Sequence, residues 1–222
     1  MKFEDFKVSD EFSEEIRETY RNYYKEIWEE NEYERFGVTI PKDGVVVDCG
    51  GSIGLFAQYA VHRGAGKVYT FEFHSRIFAL MQHNVEGEDK IVATQGFIGH
   101  GHFNAHDYQN YPASEQNYEK WSLERIVDHF QLETIDFLKI DVEGGEFDLI
   151  DATLPETLSR VKQVSMEVHV WQLYDYIQDA NMAAQNAQRF LSMIEKLNLC
   201  GFKVSIQKIH TNTCLYMLYA SR

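Results

Sequence analysis

The sequence predicts an α/β fold, in which a mostly parallel sheet is wound by helices on both faces, closes with an antiparallel last strand, and is preceded by a helical arm. Three observations carry this reading. Beyond Gly44, short β-branched and aromatic runs alternate with segments of helical period, the order that parallel strands and crossover helices require. The last two strand-like runs have only a hairpin-like connection between them, which reverses the final strand. The first 36 residues differ in character, with 12 acids against 6 bases and apolar residues at three- and four-residue steps. The expected division is therefore an arm over residues 1–43 and one domain over residues 44–222.

Each element follows from its local pattern. Ser9 or Asp10 can cap a helix whose inner stripe is Phe12, Ile16, Tyr20, Tyr23, Ile27 and Trp28. Gly37 and the run Pro41-Lys42-Asp43-Gly44 end the arm. Val45-Val46-Val47 reads as a buried strand. Residues 53–62 read as a helix stopped by Gly64 and Gly66, and residues 67–73 as the second strand. Ser75 caps a helix through Asn84, and residues 91–98 form a third strand. Residues 136–141 make the fourth strand, with a helix from about Gly145, and residues 161–168 the fifth. A long helix over 182–198 turns Phe190, Leu191, Ile194 and Leu197 inward. Residues 202–209 and 214–219 close the sheet across His210-Thr211-Asn212-Thr213.

Composition narrows the partners. A hydrophobic share of 44% with 25% charged residues is that of an ordinary globular protein, and 222 residues bury a core without metal or disulfide staples. The net charge of −14 and pI near 5.0 disfavour nucleic acid and anionic membrane, since a row of phosphates demands a basic face. Cys49, Cys200 and Cys214 are odd in number and far apart, as expected of free thiols in a reducing compartment. Neither an apolar leader at the start nor a run of about 18 apolar residues is present, so the expected location is cytoplasmic. The expected partner is a small molecule or glycan, with homo-oligomerisation left open.

In open parallel sheets, ligands sit beyond the carboxyl ends of the strands, so the informative residues are those that end strands. The first strand runs into Asp48-Cys49-Gly50-Gly51-Ser52-Ile53-Gly54, a glycine-rich turn opening a helix, where free N–H groups gather. Glu72 ends the second strand, where an acid can bind ribose hydroxyls. A dinucleotide loop would place glycine where Ser52 stands, and Asp48 before the turn would repel a diphosphate while suiting a cationic sulfonium ligand. S-adenosylmethionine has that charge pattern. An NAD-dependent oxidoreductase is the alternative, because Glu72 also fits an NAD ribose. An inert binding scaffold is the second alternative.

The loop V-D-x-G-x-x-I-G-x-F and the block Asp136-Phe137-Leu138-Lys139-Ile140-Asp141-Val142-Glu143-Gly144-Gly145-Glu146 resemble the FkbM family of S-adenosylmethionine-dependent methyltransferases. The resemblance covers about residues 45–170, with Trp121-Ser122-Leu123-Glu124-Arg125-Ile126 similar to a short family helix, and leaves the acidic arm outside. It implies a class I methyltransferase, Rossmann-like fold with a seven-stranded sheet and a reversed last strand. It also implies O-methylation of a hydroxyl on a sugar, a glycan or another small polyhydroxylated metabolite. By its motifs Asp48, Gly50, Gly51, Ser52 and Gly54 would line the methionine end. Glu72 and Phe73 would lie at the ribose, Phe97 near the adenine, and Asp141 beside the transferring methyl. One departure is Phe73, where the family usually has proline after the acid.

Transfer to a hydroxyl needs a group that takes its proton. Asp141, Glu143, Glu167 and His169 are the candidates. Strand alternation puts Glu167 and His169 on one face, so Glu167 could orient His169 as the base, or Asp141 is the base and His169 binds substrate. No metal is assigned, although Asp141, Glu167 and His169 could hold a divalent ion. His100, His102 and His106 could form a second metal site, a substrate-facing loop or a solvated connection.

Overall fold

The computed structural model describes residues 1–99, 119–170, 180–209 and 215–222. A seven-stranded sheet runs through the centre, with residues 91–95, 67–72, 45–49, 137–140, 163–169, 215–221 and 203–208 as neighbours in that order. Its strands are β1 (Val45–Cys49), β2 (Lys67–Glu72), β3 (Ile91–Gln95), β6 (Phe137–Ile140), β7 (Gln163–His169), β8 (Lys203–Lys208) and β9 (Leu215–Ser221). The first five are parallel, and β9 is antiparallel to both β7 and β8, inserted between them. This is the expected sheet with its reversed last strand. The connection at residues 210–213 lies outside the described residues.

Both faces are covered. Val46 and Val47 are fully enclosed, as a strand flanked on both sides requires. On one face Val46, Val68 and Phe137 pack against Phe56, Ala57, Tyr59 and Ala60 of α2 (Leu55–His62). On the other, Val47, Leu138, Ile140 and Met166 meet α4 (Leu123–His129), α5 (Glu146–Ala152), α6 (Pro155–Leu158) and α7 (Ala180–Leu199). The third helix, α3 (Ser75–Asn84), places Met81 against Gly51 and Thr70. The inward stripe of α7 differs by one position from expectation. Leu191 is exposed, while Met193 and Leu197 are buried with Phe190 and Ile194 beside them, because a period of 3.6 carries 190, 193–194 and 197 along one line.

Local expectations shift in the third strand and in the arm. The third strand stops at Gln95, and Phe97–Ile98 (β4) pairs instead with Lys120–Trp121 (β5) in a separate two-stranded sheet. Gly96 marks the break, since a Cβ there would overlap the Trp121 indole. In the arm, the first helix, α1 (Glu14–Tyr24), begins at Ser13, whose hydroxyl accepts the Ile16 N–H. Ser9 is engaged elsewhere, with its carbonyl accepting from Phe12 N–H and the Arg17 guanidinium. A π-helical turn over Lys25–Glu29 follows. Phe6, Val8 and Tyr20 pack on Ile53 and Leu55, and Trp28 donates its indole N–H to the Leu55 carbonyl at 3.2 Å. Ile16 and Tyr23, both expected inside, are exposed. No helix of the described residues is long and apolar enough to cross a membrane.

Candidate active site

Strand register builds the site. Thr70, Asp48 and Lys139 stand opposite one another on β2, β1 and β6, so their side chains share one face. The strand order reverses between β1 and β6, where such sheets open a crevice. Thr70 donates its hydroxyl to Asp48 Oδ2 at 2.7 Å, and Lys139 Nζ lies 3.2 Å from Asp48 Oδ1. Lys139 also donates to the Gly50 carbonyl at 2.5 Å and pairs with Asp141 Oδ2 at 3.4 Å. Burial works against its charge, but Asp48 and then Asp141 outweigh it and hold the ammonium more firmly protonated than usual. Burial pushes the Asp48 carboxyl up despite Lys139 and Thr70. Asp48 is therefore fully enclosed beneath the loop, and the charge with which it was expected to meet a ligand is answered by Lys139.

Above this row the Gly50-Gly51 turn passes with no space to spare. A Cβ at Gly50, whose φ is +90°, would overlap the Asp141 carbonyl, and one at Gly51 would overlap the Thr70 hydroxyl. Gly54 caps α2 in the left-handed region. Ser52 turns its N–H to Glu72 Oε2 at 3.0 Å, and His74 N–H meets Glu72 Oε1 at 2.8 Å. Burial raises the Glu72 carboxyl to about 7, against the pull of those two donors. Phe73 and Phe97 come together edge to face, centroids 6.1 Å apart.

Across the crevice the second group of residues converges. Glu146, fully buried at the start of α5, accepts N–H groups from Val142, Gly144 and His169 at 3.2, 3.0 and 3.4 Å. Its Oε1 lies 3.0 Å from His169 Nδ1, which fixes the ring and aims Nε2 at Glu143 (3.5 Å) and Glu167 (3.6 Å). Glu143 reaches that place from a left-handed backbone, φ 53°. Burial would lower the affinity of His169 for its proton, but Glu146 first and then Glu143 and Asp141 raise it to about 10. These carboxylates favour the charged imidazole, the form in which both ring nitrogens donate. Burial and the charge of Asp141 push the Glu143 and Glu167 carboxyls upward. Ligand atoms of Asp141, Glu167 and His169 lie within 4.8 Å of one another, a spacing that a divalent cation could bridge in place of the His169 proton.

The sequence reading assigned no role to Glu146, Lys139 or Tyr33. The first two stand in the block that carries the resemblance, and a carboxylate five residues beyond Asp141, at a helix start, was the available signal. Tyr33 belongs to the arm and had none. His100, His102 and His106 lie outside the described residues.

The sequence profile described as "Methyltransferase FkbM domain" matches residues 48–204. The chain belongs to the FkbM methyltransferase family. The profile spans the loop, the carboxylate cluster and the sheet as far as β8. Among curated proteins, the AMB antimetabolite synthetase AmbE of Pseudomonas aeruginosa is 25% identical over 252 residues, covering 90% of this chain. The chain spans 11% of that synthetase's length. Among solved structures, fibrillarin of Aeropyrum pernix with bound S-adenosyl-L-methionine aligns with a TM-score of 0.53 at 13% identity, covering 90% of this chain and 76% of that one. An rRNA methylase of Streptococcus thermophilus aligns at 0.50 and 13% identity, covering 82% and 89%. These two likenesses show the class I fold.

The FkbM methyltransferase domain takes S-adenosylmethionine as its cofactor, and its residues fit that group. Each Glu72 oxygen accepts one backbone N–H and keeps a second lone pair for a ribose hydroxyl. A diphosphate would face Glu72 and Asp141 with the nearby ammonium, Lys139, already paired.

Proposed function

We propose that this FkbM methyltransferase methylates a hydroxyl oxygen of a sugar, a glycan or another small polyhydroxylated metabolite. The observation that carries the reading is the carboxylate wall of Asp141, Glu143 and Glu167 beside the cofactor loop. That wall repels phosphorylated or carboxylated acceptors and accepts hydrogen bonds from a polyol. The net charge of −14 weighs against a nucleic-acid acceptor. The likeness to a segment of an antimetabolite synthetase favours a small-molecule acceptor.

Bound S-adenosylmethionine supplies an electrophilic methyl group on a positively charged sulfur. Glu72 would hold the ribose with Phe73 beside it, Gly50, Gly51, Ser52 and Gly54 would let the loop backbone approach the methionine end, and Phe97 would lie near the base. Asp141 takes the proton of the acceptor hydroxyl. Glu143 and Glu167, whose proton affinity is raised, can share that proton. His169, held charged by Glu146, donates from Nε2 to the acceptor.

The test is mass spectrometry after incubation of the purified protein with methyl-labelled cofactor and a panel of methyl glycosides, cyclitols, phenols and amines. An O-methylated polyol is the expected product; label on nitrogen alone would overturn the assignment. With that acceptor, Asp141→Asn should lower kcat about 100-fold or more and leave S-adenosylhomocysteine affinity within about threefold. His169→Ala should likewise affect turnover far more than cofactor binding.

A further inference from the structure

We propose that Tyr33, contributed by the arm outside the matched residues 48–204, is a positioning residue that turns the Asp141 carboxylate so that Oδ1 meets the acceptor hydroxyl. The proposal rests on the preceding reading of Asp141 as the group that receives the proton. Tyr33 donates its hydroxyl to Asp141 Oδ2 at 3.1 Å, and the Lys139 ammonium approaches the same oxygen at 3.4 Å. The Tyr33 hydrogen bond and the Lys139 ion pair on one oxygen hold the carboxylate in one orientation. Among the described residues no hydrogen bond reaches Oδ1, and the Asp141 side chain is 24% exposed, which leaves the carboxylate open to a ligand.

Tyr33 itself has little freedom. It is 5% exposed. Its ring meets Phe56 edge-on with centroids 5.1 Å apart, and the Lys139 ammonium lies 5.5 Å from its centroid. The chain on either side is pinned to the domain. Tyr59 donates to Asn31 Oδ1 at 2.7 Å and lies 2.5 Å from Glu34 Oε2, Arg63 pairs with Glu34 at 2.7 Å, and Tyr219 donates to the Glu32 carbonyl at 2.6 Å. Left-handed turns at Asn31 and Phe36 bracket the segment. Such fixation is what a group needs to hold another group in reacting geometry.

Tyr33→Phe keeps the ring and removes only the donor. The thermal midpoint should fall only by what one buried hydrogen bond costs, and S-adenosylhomocysteine affinity by calorimetry should stay within about twofold of the wild type. With the polyol found above, kcat should fall about tenfold and KM stay within about twofold. In an Asp141→Asn background the same change should have no further effect on kcat. Crystal structures of wild type and Y33F with S-adenosylhomocysteine should show the Asp141 carboxylate turned only in the variant. An unmoved carboxylate or unchanged kcat in Y33F would overturn the proposal. If the wild type methylates no hydroxyl compound, the functional reading fails, and the crystallographic comparison alone decides this one.

Discussion

Glu72 shows how one side chain can tie cofactor affinity to pH. It is 8% exposed and carries two backbone donors, yet burial lifts its carboxyl to about 7. Only the ionised form has acceptor capacity on both oxygens for a ribose diol. S-adenosylhomocysteine should therefore bind about tenfold more weakly at pH 6 than at pH 8. Glu72→Gln should weaken binding at pH 8 by about 1.5–3 kcal/mol and leave it flat across that range. Calorimetry at the two pH values checks both statements. A wild-type affinity that does not change with pH would remove Glu72 from the ribose.

At the scale of elements, the row Thr70–Asp48–Lys139 ties three parallel strands together beneath the loop. A buried pair is costly to break from one side, because the remaining charge has neither water nor partner. Lys139→Met should thus lower the denaturant midpoint by an amount equal to about 3–5 kcal/mol, and adding Asp48→Asn should recover part of the loss. Equal midpoints for the single and double variants would show that Asp48 is not charged in the fold. The row also shows what local pattern can and cannot reveal. β1, its glycine turn and β6 were legible because valine runs, glycines and strand-end acids announce themselves within a few residues. The pairing of Lys139 with Asp48 needed the register of two strands distant in sequence. The break after Gln95 depends on the Trp121 indole lying against Gly96, and the start of α1 at Ser13 on Arg17 reaching back to Ser9. Tyr33 and Asp141 are 108 residues apart, and no periodicity links them.

Across the whole molecule, raised groups dominate the acid–base balance of the crevice. Glu72 rises to about 7 and His169 to about 10, and Glu143 and Glu167 move upward with them. A group raised in the fold keeps its proton over a range in which the unfolded chain has released it. Its stabilising contribution is complete below the unfolded value and disappears as pH climbs through the folded one. For Glu72 that window runs from the ordinary carboxyl value of 4.5 to about 7, and for His169 from 6.5 to about 10. The two windows slope the same way. Asp136 and Glu124, whose carboxyls are lowered, partly by the donors they accept from, lose their contribution only on acidification below the ordinary carboxylate range. They do not oppose the trend near neutrality. The cofactor-free protein should therefore lose stability from pH 5 to pH 9, with Glu72 alone accounting for about 2–3 kcal/mol. A loss of that size lowers Tm by roughly 4–12 °C for a chain of this length. Glu167→Gln removes one raised carboxyl and should flatten the profile, while saturating S-adenosylhomocysteine should lift the alkaline end most, because it favours ionised Glu72. Scanning calorimetry across the range checks the sign, and a Tm that climbs from pH 6 to pH 9 would mean that these carboxyls are solvated rather than enclosed.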